Sequence, residues 1–162
     1  MKLHVRHTFP STVERLWELV LDDAYQDEVD RRANISRELL EERRTRNELI
    51  RKVRFTAQRK LPAAIARAVD SDRFSYVQEQ RWKLDEHRMV WSVVPDVMAD
   101  RIRSKGDFRL TQLGPDQVER LVTGEVKATL PLIGERVAKA IVGDIVSGYE
   151  RTADLTREWL AR

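Results

Sequence analysis

The chain has 162 residues, 30 of them basic and 27 acidic, for a formal net charge of +3, and it has no cysteine. Disulfides and thiolate chemistry are therefore excluded, and a chain of this length is expected to form one domain with a sizeable core of its own. The near-balanced charge describes a mixed surface with little to attract nucleic acid, and the lack of cysteine suits a reducing compartment, so a cytoplasmic location is expected.

Residues 2–9 alternate, with Leu3, Val5, His7 and Phe9 on one face and Lys2, His4, Arg6 and Thr8 on the other. This is the pattern of a half-buried strand. Charges interrupt every apolar run in this start, so it does not read as a signal peptide, and no stretch reaches the length of a transmembrane helix. Pro10 ends the strand. Ser11 and Glu14 have the spacing of a capping box, and Val13, Leu16, Trp17 and Val20 form the apolar stripe of the helix that follows. Asp22-Asp23 interrupts that helix, and residues 24–33 read as a second short helical piece.

Residues 35–60 admit two readings. Propensity favours helix, and Ile35, Leu39, Ile50 and Val53 roughly share a helical face. In the other reading Leu49, Val53, Phe55 and Ala57 alternate with Lys52, Arg54 and Thr56, with a turn near Arg46-Asn47. The hairpin agrees better with the rest of the chain and is adopted, while residues 35–46 remain open between strand and helix. Leu61-Pro62 opens a helical turn or two over Ala63 to Val69, closed by Asp70-Ser71-Asp72.

Phe74, Tyr76, Gln78, Gln80, Trp82 and Leu84 share one face of a long strand. Met89, Trp91 and Val93 alternate along the next, and residues 96–101 form a loop or bulge. Ile102, Ser104, Gly106, Phe108 and Leu110 follow, then the strong turn Gly114-Pro115-Asp116, then a strand with Val122, Gly124, Val126, Ala128 and Leu130 on one face. Short turns make these four strands an antiparallel meander. Pro131 to Gly134 is a turn, and Glu135 to Ala161 reads as one long helix. Ala138, Ile141, Ile145, Gly148, Thr152, Leu155 and Trp159 lie on a single face of it.

Chemical motifs are few. His4 and His7 point to opposite faces of their strand and His87 lies in a turn, so no metal site is assigned. There is no nucleophile elbow and no glycine-rich phosphate loop, and no catalytic residue or cofactor is assigned. The basic run Arg43-Arg44-Thr45-Arg46, Arg51-Lys52 and Arg59-Lys60 is interleaved with acids and reads as a charged edge strand. Polarity on the inward face of the 74–84 strand is the main functional hint. If Gln78 and Gln80 are buried, they either bond each other or orient a ligand. Gly143 and Gly148 each cost about 1 kcal/mol relative to Ala inside a helix. Gly148 lies on the inward stripe, which fits close packing or space left for a ligand; nothing in the sequence accounts for Gly143.

The order of elements, with His7-Thr8-Phe9-Pro10 followed by Val13 and Trp17, then Trp82, Gly106, and Gly124-Glu125-Val126 running into Leu130-Pro131-Leu132-Ile133-Gly134-Glu135, resembles the START-like (SRPBCC) superfamily. More narrowly it resembles an uncharacterised bacterial family within it. The resemblance implies an α+β helix-grip fold: a curved antiparallel sheet of about six to seven strands wrapped around a long C-terminal helix, with two short helices after the first strand. It also implies a cavity between sheet and helix, since members bind lipids, sterols or polyketides and a minority are enzymes. The expected function is therefore non-catalytic binding or transport of an apolar or amphipathic small molecule. The expected lining is Phe55, Tyr76, Gln78, Gln80, Trp91, Phe108, Ile141, Ile145, Gly148, Tyr149 and Thr152. A polyketide aromatase/cyclase-like enzyme is the second reading and a ligand-free interaction module the third. Transient membrane contact is compatible with all three, and oligomeric state is open.

Overall fold

The computed structural model describes the backbone of residues 1–162 and every side chain except that of Val69. The elements run β1 (Lys2–Phe9), α1 (Val13–Val20), α2 (Asp23–Ala33), β2 (Ile35–Arg44), β3 (Glu48–Ala57), α3 (Ala63–Val69), β4 (Ser75–Lys83), β5 (Arg88–Pro95), β6 (Ile102–Gly114), β7 (Gln117–Ala128) and α4 (Gly134–Leu160). All seven strands join one antiparallel sheet in the order β1-β7-β6-β5-β4-β3-β2. With the long final helix and the two short helices after β1, this is the helix-grip arrangement.

Residues 35–44 are a strand, so pairing overrides the local helical preference. Glu41 and Glu42 lie opposite Lys52 and Arg51, and both pairs form ion pairs, at 3.6 and 3.3 Å. β2 is an edge strand whose outer half is fully exposed, so charge here blunts an open edge.

Two boundaries differ from the expectation. The N-cap of α1 is Thr12, whose extended backbone lets its hydroxyl accept from the Arg15 amide, while Ser11 is buried and donates to the Thr12 carbonyl. The cap sits where Val13, Leu16, Trp17 and Val20 are all buried, and the Val13 amide is taken up by Gln112 Oε1 at 2.6 Å. Packing, rather than the serine-to-glutamate spacing, sets this start. β7 begins at Gln117, five residues before the expected start, and ends at Ala128, so Leu130 belongs to the turn.

Gly106 and Gly124 pair across β6 and β7, beside Trp91 on β5. A Cβ on Gly124 would lie 2.6 Å from the Lys105 carbonyl oxygen and 2.9 Å from Trp91 Cζ2, and one on Gly106 would collide with Trp91 and the Thr123 carbonyl. The buried indole thus lies flat on bare backbone, which only glycine permits. Gly106→Ala is expected to lower stability by about 1–3 kcal/mol, seen as a lower urea midpoint with unchanged slope. An unchanged midpoint contradicts this packing.

Candidate ligand-binding site

Alternation carries four cross-strand rows to the helix side of the sheet. They are Arg37-Phe55-Tyr76-Pro95, then Val53-Gln78-Val93-Ser104-Val126, then Arg51-Gln80-Trp91-Gly106-Gly124-Leu3, then Leu49-Trp82-Met89-Phe108-Val122-Val5. The last row is buried throughout and builds the main core with Leu16, Trp17 and Val20 of α1 and Ala153 and Leu160 of α4. A second, smaller core joins Ile65, Ile102, Leu130 and Val137 at the other end of α4.

Between the two cores the helix loses full burial. Val137 and Ala138 are buried, as are Thr152, Ala153, Leu155 and Thr156, but no residue from 139 to 151 is. Ile141, Ile145, Gly148 and Tyr149 are half-buried there. The α4 backbone runs closer to β1, β7 and α2 than to the strands from β2 to β6. A Cβ built on Gly148 would meet nothing within 4 Å. On the helix side of the sheet, Tyr76 at the start of β4, Gln78 further along it and Val93 in β5 keep accessible surface. Gly143 lies exposed on the other side of the helix, equally free of neighbours, and nothing in the structure explains it.

The expected lining residues thus divide. Tyr76, Gln78, Ile141, Ile145, Gly148 and Tyr149 border the half-open stretch, whereas Phe55, Gln80, Trp91, Phe108 and Thr152 are buried behind it. Phe55 stacks on Tyr76 at 5.5 Å between ring centres, and Thr152 donates to the Gly148 carbonyl at 2.9 Å. The two glutamines do bond each other. Trp82 Nε1 can only donate, so Gln80 Oε1 accepts it at 3.0 Å; Gln80 Nε2 then donates to Gln78 Oε1 at 2.6 Å. The relay ends at the Gln78 amide nitrogen, which has no protein partner and is not fully enclosed.

Polar residues outside the expected set surround the same space. Arg120 of β7 is 3% exposed, and its guanidinium lies 4.8 Å from the Phe9 ring centre and 5.0 Å from that of Tyr149. Its Nη2 donates to His7 Nδ1 at 3.1 Å, which leaves the imidazole proton of neutral His7 on Nε2, 3.2 Å from Glu150 Oε2. His7 is therefore a satisfied, half-buried histidine. Asp30 and Arg37 pair at 2.8 Å, with Arg37 over the Phe55 ring. Burial pushes the Asp30 carboxyl up against the pull of Arg37, and pushes the Arg120 guanidinium down. Arg120 is legible as inward-facing once the alternation Val126-Gly124-Val122 is carried back to Arg120 and Val118. Starting the strand at residue 122 hides it.

All three tyrosines, Tyr25, Tyr76 and Tyr149, are pushed above the ordinary phenol value, chiefly by burial. Tyr76 and Tyr149 thus sit deep in the protein yet keep accessible surface, and among the described residues neither hydroxyl has a hydrogen-bond partner. Tyr25 instead bonds Thr156 at 2.8 Å.

Two concavities lie elsewhere on the surface. One of about 270 Å³ is lined by Arg15, Glu18, Leu19, Asp22, Trp159 and Leu160, between α1 and the end of α4. The other, about 550 Å³, is lined by Ser92, Val93, Val94, Ala99, Ile102, Arg103, Ser104, Lys105, Glu125 and Lys127 of β5 to β7 and the loop before β6. Among the described residues no cluster of three or more His, Asp or Glu could hold a metal, and no helix is long and apolar enough to cross a membrane.

These features make a helix-grip fold, and solved structures share it. The protein TTHA0849 from Thermus thermophilus matches with a TM-score of 0.68 at 15% identity, over 99% of this chain and 97% of that one. The Zhui aromatase/cyclase from a Streptomyces species matches with 0.68 at 11% identity, over 100% and 95%. A START superfamily protein from Mycobacterium smegmatis matches with 0.60 at 15% identity, over 98% of each chain. The chain itself belongs to the family described as "Protein of unknown function (DUF2505)", whose model matches residues 4–160. No functionally curated protein matches it in sequence.

Raised phenol values carry a sign. Each folded tyrosine holds its proton more tightly than the unfolded one, so its contribution to stability is complete below the ordinary value of 10.0 and is lost as pH rises through the higher folded value. In an alkaline titration, phenolate absorbance is therefore expected to rise only above 10.0, together with unfolding. A tyrosine that ionises at 10.0 in the folded protein contradicts the burial described here.

Proposed function

We propose that this protein binds and carries an apolar or amphipathic small molecule, without transforming it, in the space between the middle of α4 and strands β3 to β5. The observation that carries the reading is the free volume at Gly148, in the stretch of α4 where full burial lapses between two cores. A glycine inside a helix is unfavourable, and here no neighbour crowds it in return. Tyr76, Ile141, Ile145 and Tyr149 would supply the apolar walls, and burial of ligand surface against them the main driving force.

The chemistry of the border suits binding. Phenols with raised values hold their protons and serve as hydrogen-bond donors rather than bases. The fold shared with START-like proteins, including an aromatase/cyclase, supports ligand binding as the general theme and leaves the ligand open.

Native mass spectrometry of the purified protein is expected to show a non-covalent adduct that mild organic extraction removes. The neutral dye N-phenyl-1-naphthylamine is expected to bind the extracted protein with a rise in fluorescence. Gly148→Phe should fill the space, weakening dye binding by about tenfold or more, equivalent to roughly 1.4 kcal/mol, with little change in melting temperature. Unchanged dye affinity in the Gly148→Phe variant refutes this location.

A further inference from the structure

Among the described residues four polar atoms near the middle of α4 have no hydrogen-bond partner and are not fully enclosed: Arg120 Nη1, the Tyr76 and Tyr149 hydroxyls, and Gln78 Nε2. All four can donate a hydrogen bond, and the first and last can only donate. The carboxylates nearby are already engaged. Asp30 is held by Arg37, and Glu150, 62% exposed, is turned to the surface against His7. The interior around this space therefore offers donors and one positive charge, with no free acceptor of matching charge among the described residues.

Arg120 is the unusual member. A guanidinium stays protonated in proteins, and a buried one is ordinarily paired with a carboxylate. Arg120 makes no ion pair among the described residues; its partners are a neutral imidazole nitrogen and two aromatic faces, and its Nε is sealed off with no acceptor. His7 passes part of the charge to Glu150 through its own N–H, but the bond from Arg120 uses only Nη2. Nη1 remains open beside Tyr149, the residue that follows Gly148 on the helix.

Resting on the binding reading above, we propose that the ligand is an amphiphile ending in a carboxylate, with its acid group held by Arg120 Nη1 and the Tyr149 hydroxyl and its apolar body lying along Ile145, Gly148 and Tyr76. One guanidinium amid neutral donors matches a single negative charge. A phosphate, with its higher charge and three acceptor oxygens, ordinarily calls for several cations. The bond from ligand to Arg120 is charge-assisted and shielded from water, the setting in which such bonds discriminate most.

The test compares two displacers of bound N-phenyl-1-naphthylamine that share one tail: dodecanoate and dodecan-1-ol, at about pH 8, where the acid is fully ionised. Dodecanoate is expected to displace the dye at a concentration lower by about tenfold or more. In Arg120→Met the two are expected to become equivalent, while dye and alcohol still bind. Because that variant loses a brace of the core, Tyr149→Phe supplies a second arm. It keeps the ring against Arg120 and is expected to shrink the acid-over-alcohol preference by about threefold or more with unchanged alcohol binding. Equal displacement by acid and alcohol in the wild type, or a full preference retained in Tyr149→Phe or in folded Arg120→Met, overturns the proposal while leaving the cavity standing. Failure of the extracted wild-type protein to bind the dye at all overturns the cavity itself and this proposal with it.

Discussion

The architecture depends on a helix that is fully packed at its two ends and only partly in its middle. At one end Val137 of α4 joins Ile65, Ile102 and Leu130; at the other Ala153 and Leu160 join the core under α1. Both anchors lie on one 27-residue helix. The backbone bonds of an α-helix are internal, so it tolerates a stretch without full tertiary support. Beneath it, Trp91 packs against the bare backbone of Gly106 and Gly124, where a Cβ would collide with the indole. The backbone of α4 approaches β1 and β7 more closely than it does the strands from β2 to β6.

The polarity of the interior follows from the same geometry. Side chains in a close-packed core have to be apolar or fully paired. Those bordering a gap are released from that rule, since water or a ligand can complete their bonds. Gln80, behind the gap, is paired on both sides, whereas Gln78, one row nearer the edge of the sheet, ends the same relay with a free amide. Tyr25, packed at the end of α4, bonds Thr156, whereas Tyr76 and Tyr149 beside the gap bond nothing in the protein. Under the proposed function these convergent donors would border an apolar space, as small-molecule sites generally do.

Much of this was legible in the residues. Alternation located β1 and β4 to β7, and the recurrent face of α4 was visible because its period persists over many turns. The charged stretch at 35–46 was ambiguous because strand pairing, supplied by the ion pairs of Glu41 and Glu42 with β3, is invisible to local propensity. Gly148 drew attention as a helix-interior glycine, but only the structure shows that the space beside it is free. Arg120 was missed altogether. An arginine at the start of a strand reads as solvent-facing until the strand is extended to Gln117, and its burial comes from Phe9 and Tyr149, at the far ends of the chain.

The most direct test of the open middle is a crystal of this protein pressurised with xenon, which occupies apolar voids without needing a specific ligand. The account predicts xenon between α4 and the sheet, within contact of Ile145, Gly148 and Tyr76. A crystal with no xenon there, and with the Tyr76 and Gln78 side chains packed directly against the helix at Gly148, would contradict it.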